Sequence, residues 1–166
     1  MRSAWTCAAL AVVALAPVSR GRFSAANVTT ISSVAIATIE PRAGAPGYSW
    51  LRVYFYSAAL TPDDRAAAAQ GRERSIKARW SAVLQLTMDK DRKLTQLDLS
   101  VPGHQCTVAD SQRELDQAFQ TLQFDGTHLR LVGKDTHVCD MRSMGIPNQT
   151  FTWDVDLDTS VAPVPR

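Results

Sequence analysis

Between Ser81 and Cys106 the chain reads SAVLQLTMDKDRKLTQLDLSVPGHQC, and this stretch limits the fold more than any other. Val83, Leu84 and Leu86 make one apolar segment; Leu94, Leu97, Leu99 and Val101 make a second. Leu97, Leu99 and Val101 alternate with Gln96, Asp98 and Ser100. Period two puts the leucines on one face of a half-buried strand. The polar run Met88-Asp-Lys-Asp-Arg-Lys93 between the segments makes the pair a β-hairpin with a charged tip. Pro102-Gly103 turns the chain after it.

Other segments repeat the pattern. Thr150 to Asp158 is the clearest alternation, with Phe151, Trp153, Val155 and Leu157 against Thr152, Asp154, Asp156 and Asp158. Trp50 to Ser57 sets Leu51, Val53 and Phe55 against Trp50, Arg52, Tyr54 and Tyr56, an amphipathic aromatic face. Val28 to Ile39 is rich in β-branched residues and predicts one strand. Thr127 to Val132 and Thr136 to Asp140 predict a second hairpin turning at Gly133-Lys134-Asp135, after the turn Asp125-Gly126.

Two helices interrupt the strands. Thr61-Pro62-Asp63-Asp64 is a start signal: a capping hydroxyl, proline at the first helical position, acids at the positive end of the helix dipole. The alanines that follow favour a short surface helix ended by Gly71. Ser111-Gln-Arg-Glu114 matches a capping box, and Leu115, Ala118, Phe119 and Leu122 fall on one helical face, so a helix from Ser111 to Leu122 should pack on the sheet.

The expected fold is α+β, mainly antiparallel β, with six or seven strands and two short helices, one packed on the sheet. A small β-sandwich is the alternative. The 166 residues suffice for one domain with its own core.

The first residues read as a secretory signal. Arg2 is followed by an apolar run of ten, Cys7 to Ala16, too short to span a bilayer. Cleavage after Ala16 is disfavoured by Pro17, whereas Ser24 and Ala26 suit a cut before Asn27. The expected organisation is therefore a signal peptide at 1–26, a single α+β domain at 27–160, and a frayed tail at 161–166. Localisation follows as exported, periplasmic or extracellular, with no transmembrane span after cleavage. Three of the 18 basic residues and none of the 16 acids precede Asn27, so the remainder carries 15 against 16, a net of −1. That balance argues against a nucleic-acid partner. The basic stretch Arg72 to Arg79, interrupted by Glu73, reads as a solvated linker rather than a patch for an acidic partner.

Cleavage leaves two cysteines, Cys106 and Cys139, and an even count in an exported chain predicts one disulfide. By chain entropy, closing that loop contributes roughly 3.5–4 kcal/mol. Each cysteine ends an H-x-C segment, His104-Gln105-Cys106 and His137-Val138-Cys139. Reduced, His104, Cys106, His137 and Cys139 form a possible four-ligand metal set. Oxidised, the thiolates are gone, and only His104 and His137 with an acid such as Asp140 remain. The disulfide is the preferred reading, and no cofactor is expected. Asp154, Asp156 and Asp158 stand roughly 6.7 Å apart along a strand face, wide for one ion held by side chains. Asp89-Lys90-Asp91 lacks the glycine of a calcium loop.

No catalytic residues are assigned. Ser100, Ser111 and Asp110 flank His104 in sequence, but no nucleophile elbow, glycine-rich phosphate loop or H-E-x-x-H is present. Asn27-Val-Thr29 and Asn148-Gln-Thr150 are glycosylation sequons. The expected function is an exported small binding or interaction module for a protein or small-molecule ligand. A small secreted or periplasmic hydrolase using His104 or His137 is one alternative, and a metal-binding protein using the paired H-x-C segments is another.

Overall fold

The computed structural model describes residues 19–70, 72, 76, 80–140, 142, 145 and 147–164. The apolar run Cys7 to Ala16, Gly71, most of the basic stretch 72–79 and the last two residues lie outside these. Ten strands and two helices follow in order: β1 Ser19–Ala25, β2 Val28–Ser32, β3 Val34–Pro41, β4 Ser49–Tyr56, α1 Pro62–Ala69, β5 Trp80–Met88, β6 Leu94–Val101, β7 His104–Ala109, α2 Gln112–Ala118, β8 Thr121–Phe124, β9 His128–Cys139 and β10 Gln149–Pro163.

This corrects the expected fold class. The sheet has ten strands rather than six or seven, and it is mixed rather than antiparallel. The sole parallel pairing between described strands comes from β10. Gln149 to Ser160 run antiparallel to β9 on one edge, and Phe151 to Leu157 antiparallel to β1 on the other. Its end, Val161 to Pro163, then lies parallel to Ala37 to Ile39 of β3. One long strand thus belongs to two sheets, β8-β9-β10-β1-β2 and β10-β3-β4-β5-β6-β7, and joins them into one curled sheet.

Four local departures have physical causes. The single strand expected over Val28 to Ile39 is two, because the chain changes sheets at Ser32. There the buried hydroxyl lies 2.8 Å from the Val34 carbonyl and 2.7 Å from the Tyr56 carbonyl, satisfying backbone at the corner. The hairpin expected at Gly133 is absent: β9 runs through it as one 12-residue strand. A Cβ on Gly133 would sit 2.6 Å from the Ala118 carbonyl oxygen and overlap the Phe119 ring, so the glycine admits the end of α2 rather than making a turn. Helix α2 stops at Ala118, and Leu122 belongs to β8, opposite Leu131. The tail is not frayed as far as Val164: Val161 is buried, and the Val164 N–H donates to the Ile39 carbonyl at 2.9 Å.

Residues 19–25, assigned from sequence to the signal peptide, form β1 between β2 and β10. Phe23 is wholly buried, with its ring 4.7 Å from that of Phe55.

Thr61 caps α1 in a full capping box with Asp64, and Pro62 opens the helix. Pro102-Gly103 is a two-residue turn between the paired residues Val101 and His104, with Gly103 at φ +83°. Phe151, Trp153, Val155 and Leu157 are buried. They join Leu84, Leu86, Leu97 and Leu99 of the central hairpin in one core, and Leu115 of α2 closes that core against β6, β7 and β9. No helix among the described residues is long and apolar enough to cross a membrane.

Candidate binding face and disulfide junction

Two places gather functional side chains. The first is the junction where the curled sheet closes. Edge strand β7 reaches the far end of β9, and Cys106 and Cys139 pair there at disulfide distance, with Cα atoms 6.1 Å apart. Both cysteines are buried, and helix α2 lies between them in sequence. The bridge therefore ties edge strand β7 to the end of β9.

The four residues of the doubled H-x-C do not all converge. Cys106, Cys139 and His137 bring their ligand atoms within 4.8 Å of one another. His104 stands outside this group: its Nδ1 lies 2.9 Å from Gln149 Oε1. Asp140 is also turned away. Arg142 binds it through Nη2 at 2.7 Å and Nε at 3.0 Å, and these bonds hold the Asp140 carboxyl below its ordinary value. Ser111 serves as N-cap of α2, accepting from the Glu114 N–H at 3.4 Å. Glu114 reaches past the cap to the Asp110 N–H at 2.9 Å, and that bond above all lowers its pKa. Among the described residues no hydrogen bond joins a histidine to a serine or threonine hydroxyl.

The second place is the outward face of β4 to β7, and the register explains it. Arg52, Gln85, Asp98 and Thr107 lie opposite one another across the four strands. They form a hydrogen-bonded ladder. Arg52 pairs with Glu40 of β3 and donates through Nε to Gln85 Oε1 at 2.7 Å. The Gln85 amide donates to Asp98 at 3.2 Å, the Thr107 hydroxyl does so at 2.6 Å, and Gln96 adds two more bonds at 3.0 and 3.1 Å. Asp98 is only 7% exposed despite lying on the polar side of its strand. The Arg52 guanidinium also lies 4.5 Å from the Trp50 ring centre, a cation–π stack.

Beside this ladder runs a second row, Tyr54, Val83, Ser100 and Gln105. With Trp80 and His104 it lines an open depression of about 520 Å³. Trp80 is 38% exposed, one of few large apolar side chains left in solvent. The charge of Arg52 is matched by Glu40, so the depression carries no unpaired cation among the described residues.

Sequence reasoning singled out Trp50, Arg52, Tyr54 and Tyr56 as an aromatic face; Tyr56 is in fact buried. It missed Trp80, Gln85 and Gln105, and read Ser100 only as a polar strand position near His104. The available signal was that outward positions of the central hairpin carry Gln and Ser where a plain surface strand carries Lys and Glu.

The acidic positions of β10 have ordinary partners. Asp154 faces Lys134, Asp156 faces Arg20 and Arg130, and Asp158 faces His128. In the hairpin tip, Asp89 accepts its own loop's N–H groups, from Asp91 at 2.9 Å and Lys93 at 2.8 Å. Compared with known proteins, the chain matches no protein-family model, no curated protein and no solved structure.

Proposed function

We propose that this protein is an exported small binding module, stapled by one disulfide, whose ligand docks on the outward face of β4 to β7. The observation that carries this reading is the depression around Trp80, Tyr54 and Gln105. Aromatic rings with a polar edge beside amide and hydroxyl side chains on a rigid sheet are what a recognition surface needs. The ladder beneath, from Glu40 to Thr107, fixes the platform before any ligand arrives, which lowers the ordering cost of binding.

Ligands found by protein-observed NMR should shift the amides of Tyr54, Val83, Ser100 and Gln105. Trp80→Ala should weaken them about tenfold or more, a loss of at least roughly 1.4 kcal/mol, while leaving the melting temperature close to wild type. Ligands that shift other regions, or that bind Trp80→Ala unchanged, would place the site elsewhere.

Export rests on the leader's charged start and apolar run. Because β1 begins at Ser19, processing that keeps the fold cuts upstream of it. Intact mass of the exported protein should give a start at or upstream of Ser19. A start at Asn27 would mean a native protein without β1, and an uncleaved chain would remove the case for export by this route.

A further inference from the structure

The disulfide junction has a second chemistry when it is open. His137 and Cys139 are two residues apart on β9 and so share one face, and Cys106 arrives from β7 across the closing edge. The three ligand atoms already lie within 4.8 Å of one another. Both cysteines are buried and His137 is half-buried, so the group has a protein side and a solvent side. We propose that the reduced junction binds a divalent metal of the zinc class. Cys106 Sγ, Cys139 Sγ and a His137 ring nitrogen are its three protein ligands, with water in the fourth position.

Metal–ligand bonds of about 2.3 Å to sulfur and 2.0–2.1 Å to nitrogen, in a tetrahedron, put ligand atoms roughly 3.5–3.8 Å apart. From the closed junction the sulfurs must part and the imidazole must approach, movements within reach of side-chain torsions. Two thiolates and an imidazole are soft donors, which favour zinc over calcium or magnesium.

The steps balance. A dithiol reductant delivers two electrons and two protons to the disulfide and leaves as its own disulfide. The metal then displaces both thiol protons, and the neutral imidazole enters without losing one. The bonded disulfide offers no thiolate, so disulfide and metal exclude each other. Each joins β7 to β9, and one closure of the sheet replaces the other. This inference does not depend on the binding face.

The test uses the full chain, reduced with a phosphine under anaerobic conditions and titrated with Co²⁺, then with Zn²⁺ in competition. A thiolate-to-cobalt charge-transfer band should grow to saturation at equimolar metal, be absent from the oxidised protein and from Cys106→Ser, and be displaced by Zn²⁺. His137→Gln should weaken binding at least about tenfold, since even outer-shell changes cost that much, and His104→Gln should leave it unchanged. Zn²⁺ should also raise the melting temperature of the reduced chain, which guards against a reduced chain that is unfolded without metal. No band at equimolar metal, equal weakening by His104→Gln and His137→Gln, or no stabilisation by Zn²⁺ would each overturn the assignment.

Discussion

On β1, β9 and β10 the charged outward positions pair across strands, and every aspartate of the last strand meets a basic or histidine side chain from a neighbour. On β4 to β7 the outward positions include Trp50, Tyr54, Val83, Ser100 and Gln105, beside Arg52, Gln85, the buried Asp98 and Thr107, which are hydrogen-bonded from strand to strand. Both faces come from the same period-two alternation over one core. The first is closed electrostatically by long solvated side chains, and such exposed pairs add little stability. The second withdraws its polar groups from water and must satisfy them internally, because an unpaired buried acceptor or donor is costly. Beside that ladder lie Trp80, Tyr54 and Gln105, which line the open depression. The contrast teaches that alternation locates a sheet surface, and the residue types at outward positions say what kind of surface it is.

The contrast can be broken at its shared base. Trp153 lies under the charged face and is 2% exposed, so Trp153→Ala should cost roughly 3–5 kcal/mol in chemical denaturation. A smaller loss would mean that the charged face is held by its ion pairs after all. Next in size is Asp98→Ala, which leaves the Gln85 and Gln96 amides and the Thr107 hydroxyl without their acceptor. It should cost about 1–3 kcal/mol, with exchange of the β6 amides speeding up. Asp156→Asn probes the equivalent acid on the charged face and should stay within about 1 kcal/mol, shrinking further in high salt. If Asp156→Asn proves as damaging as Asp98→Ala, the two faces are not different in kind.

The smallest effect is a pH dependence in the β8–β9 turn. Backbone N–H groups of Thr127, then of His128, hold the Asp125 carboxyl below its ordinary value. A carboxyl depressed in the folded state contributes stability above its unfolded pKa, and loses it as pH falls through the lower folded value. The stability gap between wild type and Asp125→Ala should therefore be fullest near neutrality and narrow in acid. A gap that widens on acidification would contradict the turn's geometry.

Much was decided by the sequence alone because the physics was local. Capping and proline chemistry placed α1, Pro102-Gly103 placed a tight turn, and alternation assigned Phe151, Trp153, Val155 and Leu157 to the core. The cysteine count paired Cys106 with Cys139. Tertiary structure decided the rest, wherever a residue answers to a neighbour distant in the chain. Gly133 reads as a turn until the end of α2 is seen pressing on it. Leu122 fits a helical face but pairs across a strand, since Leu131 offers it a partner that helix α2 does not. Residues 19–25 look like the end of a leader, yet β10 pairs along their whole length and β2 pairs with Gly21 to Ala25. The parallel contact of β10 with β3 has no sequence signature, because it follows from how far a long strand outruns its first neighbours. Likewise His104 and His137 stand in identical motifs, and only the register of β7 and β9 turns one toward Gln149 and the other toward the sulfurs.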